Sequence, residues 1–313
     1  MSALICGSLA FDTIMVFNDR FKNHILPDQV HILNVSFLVP QLRREFGGCA
    51  GNIAFNLKML GGDPMPMGAV GKDFDIYRDW LTEHGIRLDA VKQLNDHYTA
   101  QAYITTDQDD NQITAFHPGA MSESHQTKVA DYPGVTLGII APDGRDGMLQ
   151  HAAQFAEAGI PFIFDPGQAM PLFDGEEFRQ FVEQAEYVCV NDYESRLLEQ
   201  RTGWSHDDIA SRCKAYIVTR GAEGAWIFSQ GEKLEIPPVK PADVVDPTGC
   251  GDAFRAGLIR GLMAGLDLAV CGRMASLMGS IKVAHAGTQN HRFTLDEFKQ
   301  QYQAAFAEPL ALD

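Results

Sequence analysis

Val135-Thr136-Leu137-Gly138-Ile139-Ile140-Ala141 opens the segment that decides the fold. This short apolar run is followed by a helical pattern over Gly147–Ala158 and a second apolar run, Pro161-Phe162-Ile163-Phe164, which ends at Asp165-Pro166-Gly167. Another helical pattern covers Gly175–Ala185, and a third apolar run, Tyr187-Val188-Cys189-Val190, ends at Asn191. Strands that are apolar throughout have both faces buried, and helices between them supply the cover. The expected fold class is therefore α/β, a doubly wound, mostly parallel sheet.

Toward the C-terminus the pattern continues with a strand at Ala215–Thr219, closed by Thr219-Arg220-Gly221, and an antiparallel pair at Gly224–Ser229 and Lys233–Pro237. Ala253–Ala264 and Leu268–Ala284 read as helices rich in Gly, Ala and Met, a composition that lets two backbones approach closely. Toward the N-terminus, Ala3–Leu9 reads as a first strand whose carboxyl end carries Gly7-Ser8 and Asp12. Residues 13–46 lack an amphipathic helix and break into β-like pieces, Ile14–Phe17 and Val30–Leu38, separated by Pro27, Asp28 and Pro40. Tyr98–Thr105 and Gln112–Phe116, joined by the polar run 107–111, read as a hairpin. The expected division is an α/β body (1–12, 47–96 and 120–313) with a small discontinuous β lid (13–46 and 97–119).

The chemistry concentrates in Val244-Val245-Asp246-Pro247-Thr248-Gly249-Cys250-Gly251-Asp252-Ala253-Phe254, read as a strand end, a glycine turn and a helix start. A helix start exposes unpaired N–H groups and a partial positive charge, so a glycine turn leading into it can cradle a phosphate. Asp252 has the wrong sign for such a site unless it is there to accept a proton. Ordinary turn and cap chemistry could also produce this window. Polar residues recur at the carboxyl ends of the strands: Asp12, Asp165, Asn191 with Glu194, and Thr219. That edge is where open α/β sheets bind ligands. Asn191 and Glu194 also have the spacing of a capping box, and Asn52, ahead of the helical run to Leu60, is either a substrate donor or a plain N-cap. Gly71-Lys72-Asp73 is no Walker motif, because Asp73 stands where Ser or Thr belongs.

The chain has 313 residues, 45% of them hydrophobic, 21% charged, and a formal charge of −16. That balance suits a globular protein and argues against nucleic-acid or anionic-membrane partners. No apolar run approaches a membrane span, and the expected location is the cytoplasm. Six scattered cysteines, without a CxxC pair, suggest neither a zinc site nor a disulfide framework.

Gly47-Gly48 with Asn52, and Asp246 to Phe254, resemble the two signatures of the ribokinase-like, phosphofructokinase-B-type carbohydrate kinases. Ser36-Phe37-Leu38-Val39, Pro118 to Ser122, Asn191 to Glu194, Thr202-Gly203-Trp204 and Gly287-Thr288-Gln289 are similar to the bacterial adenosine kinase branch. The resemblance implies transfer of phosphate from ATP to a nucleoside 5′-hydroxyl, adenosine to AMP, the alternative being a sugar kinase acting on ribose or fructose. It implies Asp252 as base and Gly249, Cys250 and Gly251 as the anion hole. It places Asp12, Gly48 and Asn52 on the ribose, Asn191, Thr219, Gly221 and Thr248 on the nucleotide, and Glu194 on Mg²⁺ through water. A monovalent cation such as K⁺ and a homodimer paired through the lid are left open. Phe37 and Phe116 are candidates for stacking on the base, or for lid core. Cys250, at a helix start, is expected to carry a thiol of lowered pKa.

Overall fold

A computed structural model describes residues 2–25, 31–32, 34–109 and 111–312. The first strands are β1 (Ser2–Cys6), β2 (Ala10–Val16), β3 (Gln41–Gly47), β4 (Pro64–Gly71), β5 (Val91–Leu94), β6 (Ala100–Thr106) and β7 (Gln112–His117). They are followed by β8 (Val135–Ile140), β9 (Phe162–Phe164), β10 (Tyr187–Asn191), β11 (Ala215–Thr219), β12 (Ala225–Ser229) and β13 (Glu232–Ile236). The order β13-β12-β11-β10-β9-β8-β1-β4-β5 makes one nine-stranded sheet, in which only the β11–β12 and β12–β13 pairs are antiparallel. The parallel α/β class read from Val135 to Asn191 is borne out.

The helices are α1 (Cys49–Met59), α2 (Asp75–Glu83), α3 (Arg145–Ala158), α4 (Gly175–Gln184), α5 (Asp192–Thr202), α6 (His206–Ala210), α7 (Cys250–Met263), α8 (Leu268–Val283) and α9 (Leu295–Phe306). Strand pleating sends alternate side chains to opposite faces. Ala3 and Ile5 of β1 accordingly enter one core with residues of α1, α2, α7 and α8, while Leu4 and Cys6 enter the other with residues of α3, α4 and α5. Gly257 and Gly261 let α7 lie against α8: a Cβ on Gly257 would stand 2.7 Å from Ala275 Cα.

A second sheet, β3-β2-β6-β7, gathers both β excursions. Its cross-strand row Glu45, Asp12, Ala102, Phe116 places those four residues on one face. Asp107 ties the β6–β7 turn to the rest of this layer, accepting from the backbone N–H of Phe21, Asp109 and Asn111.

Two expectations fail locally. The strand expected over Val30–Leu38 is not found among the described residues there; Pro27, Asp28, Val30 and Leu33 lie outside them, as does Asp110 of the hairpin turn. The strand in this part of the chain instead runs over Gln41–Gly47, whose polar residues pair with β2 at the edge of the second sheet. Val244 and Val245 form no strand either. They are 71% and 50% exposed and find no neighbouring strand; the Val245 and Asp246 N–H groups both donate to the Val283 carbonyl at the end of α8.

Candidate active site

The carboxyl ends of β1, β8, β9, β10 and β11 bring Ser8, Asp143, Asp165, Asn191 and Thr219 to one edge of the large sheet. The strand order reverses beside β1, which has β4 on one side and β8 on the other, so a crevice opens there. Into this edge points the N-terminus of α7. Its N-cap, Gly249, has φ 78°, and a Cβ at that position would meet Thr288 Cγ2 at 3.0 Å. Only glycine fits both the left-handed conformation and the space.

Asp246 builds the turn from within. Its Oδ1 accepts from the Thr248 N–H and its Oδ2 from the Gly287 N–H, both at 2.9 Å. Burial works to raise this carboxyl, but those two N–H groups and the Lys282 charge hold it below the usual range. Lys282 is fully buried, and its ammonium donates to the carbonyls of Asp246 at 2.7 Å and His285 at 3.1 Å. The turn is thus stapled to the chain after α8. Of the three residues expected to supply main-chain donors, Cys250 has its N–H committed to the Pro247 carbonyl at 3.2 Å. The donors left at this helix end are those of Gly249, Gly251 and Asp252, which have no carbonyl partner among the described residues.

The Asp252 side chain accepts from Asn52 Nδ2 at 2.8 Å. Burial pushes it up to about 6; Asp165 adds to the rise, and the Asn52 amide and Arg255 oppose it. A carboxyl poised there is ionised at neutral pH yet basic enough to take a proton. Behind the turn, Arg255 makes a two-pronged ion pair with Asp165, at 3.0 and 2.8 Å, and also reaches the Gly251 carbonyl at 3.4 Å. Arg255, whose charge faces Asp252, and Gln289, which holds Asn52, escaped the sequence reading. Only helical spacing from Asp252 could have suggested the first.

Asp12 lies on β2 where the two sheets meet. A Cβ on Gly47 would come within 2.5 Å of its Oδ2, and one on Gly48, at φ 84°, would strike the Ser8 carbonyl at the same distance. Burial, then Glu45 and Asp246, raise Asp12 to about 6. Asn52 is not an N-cap: that position belongs to Gly48, and Asn52 is a buried residue one turn into α1. Asn191 is the N-cap of α5 and forms the full capping box with Glu194. Burial raises the Glu194 carboxyl, as does Asp165. Asn191 pairs directly with Thr219, and Gly221 follows in a short turn at φ 54°. Thr248 is exposed on the turn itself. Phe116 is 53% exposed on the Asp12 face of the second sheet, whereas Phe37 packs against Phe17 and Phe21, with ring centroids 4.8 and 5.1 Å apart.

The expected low-pKa thiol is overturned: burial pushes Cys250 up to about 11, so a neutral thiol occupies the helix start. All six cysteines are free. Among the described residues no helix is long and apolar enough to cross a membrane.

The model of the pfkB family carbohydrate kinases matches residues 14–294. The chain belongs to that family. Its likeness to the two family signatures is thereby borne out. A nucleoside kinase of Methanocaldococcus jannaschii is 30% identical over 272 residues, which cover 86% of this chain and 89% of that protein. The structure of Burkholderia thailandensis nucleoside kinase in complex with inosine superposes with a TM-score of 0.90 at 51% identity, covering 98% of this chain and 99% of that one. The same enzyme in complex with ADP-inosine gives 0.88 at 52% identity, covering 99% and 98%. The family membership makes this chain a kinase that transfers phosphate to a hydroxyl, with the ribokinase-like fold.

Proposed function

We propose that the chain transfers the γ-phosphoryl group of ATP to the 5′-hydroxyl of a purine nucleoside, with adenosine and inosine as acceptors. The observation that carries this reading is the Asp252 carboxyl, raised to about 6, in the anion-receptive first turn of α7. Asp252 takes the hydroxyl proton while the N–H groups at that helix end meet the charge of the transferring group. Phosphoryl transfer leaves the protein mainly alignment and charge stabilisation to perform. Asp12 and Gly48 hold the ribose hydroxyls. Two strand spacings, roughly 10 Å, separate Asp12 from Phe116 along one row, which suits a ribose at one end and a base against the aromatic ring at the other. Phe37, in its aromatic cluster, supports the lid rather than the base. The lid, residues 13–46 and 97–119, closes about Gly47-Gly48 and keeps water out. Its exposed apolar residues, Leu42 and Ile113 among them, are where a homodimer would form.

Asn191, Thr219, Gly221 and Thr248 receive the nucleotide. Glu194 would hold Mg²⁺ through water, and its half-buried carboxylate at the crevice edge fits that part. Among the described residues no group of three or more His, Cys, Asp or Glu could hold a metal by itself, as expected of an ion that leans on nucleotide phosphates. Bound there, Mg²⁺ neutralises phosphate charge. The carbonyls backing the turn already accept from the Lys282 ammonium, so this reading includes no K⁺.

Release of ADP with adenosine, inosine, guanosine, ribose and fructose as acceptors tests the substrate. Activity on ribose or fructose alone would replace the nucleoside reading with a sugar kinase. Asp252→Asn should lower kcat by roughly 10²- to 10⁴-fold while leaving nucleotide binding unchanged. In the wild type kcat/KM should rise with pH through about 6, as the carboxyl loses its proton, and level off above. A variant within tenfold of wild type would falsify the base assignment.

A further inference from the structure

Four side chains from separate parts of the chain form one hydrogen-bonded line ending at Asp252. Trp80 Nε1, on α2, donates to Gln289 Oε1 at 2.9 Å. Gln289 Nε2, beyond α8, donates to Asn52 Oδ1 at 2.9 Å, and Asn52 Nδ2 donates to Asp252 Oδ2 at 2.8 Å. A carboxamide can present either end to a neighbour with little change in shape, so the direction of such a line must be imposed by a group that only donates or only accepts. The indole N–H only donates. It therefore turns the Gln289 carbonyl toward itself, the Gln289 NH₂ toward Asn52, and the Asn52 NH₂ toward the carboxylate. Gln289 is 2% exposed, so water does not compete for these bonds. Its NH₂ also donates to the Tyr77 hydroxyl at 2.6 Å, which donates in turn to the Gly47 carbonyl at 2.9 Å. One amide thus serves both the proposed base and the glycine pair beside Asp12.

We propose that Gln289 is a positioning residue for phosphoryl transfer: oriented by Trp80 and by the Tyr77 hydroxyl, it holds the Asn52 amide with its NH₂ toward Asp252 and so keeps that carboxylate ionised and aimed. If Gln289 turned over, Asn52 would turn with it and press a carbonyl oxygen against Asp252, a contact that the carboxyl relieves by taking up a proton. Of the other groups facing Asp252, burial and Asp165 raise its proton affinity, Arg255 from α7 and the Cys49 thiol from α1 lower it, and the Tyr77 hydroxyl, itself bonded to Gln289, approaches from α2. The inference rests on the phosphotransfer reading only for its kinetic readout.

The test is the titration of the Asp252 carboxyl carbon by ¹³C NMR in the full-length protein, with Asp252→Asn to assign the signal. Gln289→Glu removes the donor to Asn52 and should move the midpoint upward by roughly one pH unit or more. Because Glu brings a charge of its own, Gln289→Met supplies the neutral arm: it deletes the amide that holds Asn52 while leaving Trp80 and Tyr77 in place, and the midpoint should again move upward. The acid limb of the kcat/KM profile should follow in each variant. An unmoved midpoint in Gln289→Met overturns the proposal, and it carries the decision if Gln289→Glu does not fold. If no acceptor yields ADP, the phosphotransfer reading fails while the NMR titration still decides the positioning role.

Discussion

At the residue scale, the site depends on a backbone conformation as much as on a carboxylate. Gly249 combines φ 78° with a space that Thr288 already fills to 3.0 Å. Gly249→Ala therefore imposes a left-handed alanine and a close contact together, costing about 1–2 kcal/mol. It should also distort the donors at the start of α7, with kcat falling at least roughly tenfold, since a displaced anion hole loses alignment. Thermal unfolding and steady-state kinetics check the two effects separately. Unchanged melting with kcat within twofold would mean that the turn does not cradle the transferring group. The same scale explains why the Cys250 thiol is pushed up to about 11: what the helix start offers a thiolate is outweighed by burial.

At the scale of elements, α7 is held by its contact with α8, and Asp252, the proposed base, rides on its first turn. Gly257→Ala would place a Cβ 2.7 Å from Ala275 Cα, a backbone atom that cannot swing aside. The helices must separate, at about 1–3 kcal/mol, and Asp252 moves with α7. Denaturant unfolding should show the loss of stability, and kcat should fall with KM little changed. A variant of wild-type stability would mean that the helices part freely. The close packing was legible in the small-residue composition of both helices, and β8, β9 and β10 were legible because each is largely apolar. β3 was not, because Gln41, Arg43, Arg44 and Glu45 leave its sequence without an apolar face. β4 has two prolines and two glycines, the marks of a turn, yet it is buried along its whole length. Asp252 could be read from its motif. Asp165–Arg255 and Asn52–Gln289 could not, because partners 90 and 237 positions apart leave no periodic signal.

At the scale of the whole molecule, an acidic chain has buried carboxyls and histidines whose titrations oppose one another. Burial raises Asp12 and Asp252 to about 6 and Asp143 to about 7. It lowers His151 to about 4 and His291 to about 3. Between about pH 4 and 6 the native state thus binds extra protons on three carboxyls and lacks them on two histidines, so the two sets offset in part and a surplus of about one proton makes stability fall as pH rises. Asp143→Asn removes one of the three carboxyls. A carboxyl whose folded pKa exceeds its unfolded value contributes stability below the unfolded value and loses it as pH rises through the folded one. For Asp143 the window runs from 3.8 to about 7. Its Oδ1 accepts from the Gly144 N–H at 2.8 Å, a bond that an asparagine carbonyl can keep, while the buried Oδ2 has no partner. The stability of Asp143→Asn relative to wild type should therefore rise from pH 4 to pH 7 by about 3 kcal/mol and level off above about pH 8. Urea unfolding at intervals across that range measures it. A difference that does not change with pH would mean that Asp143 titrates alike in the folded and unfolded chains, and that the burial at the end of β8 imposes no cost on its charge.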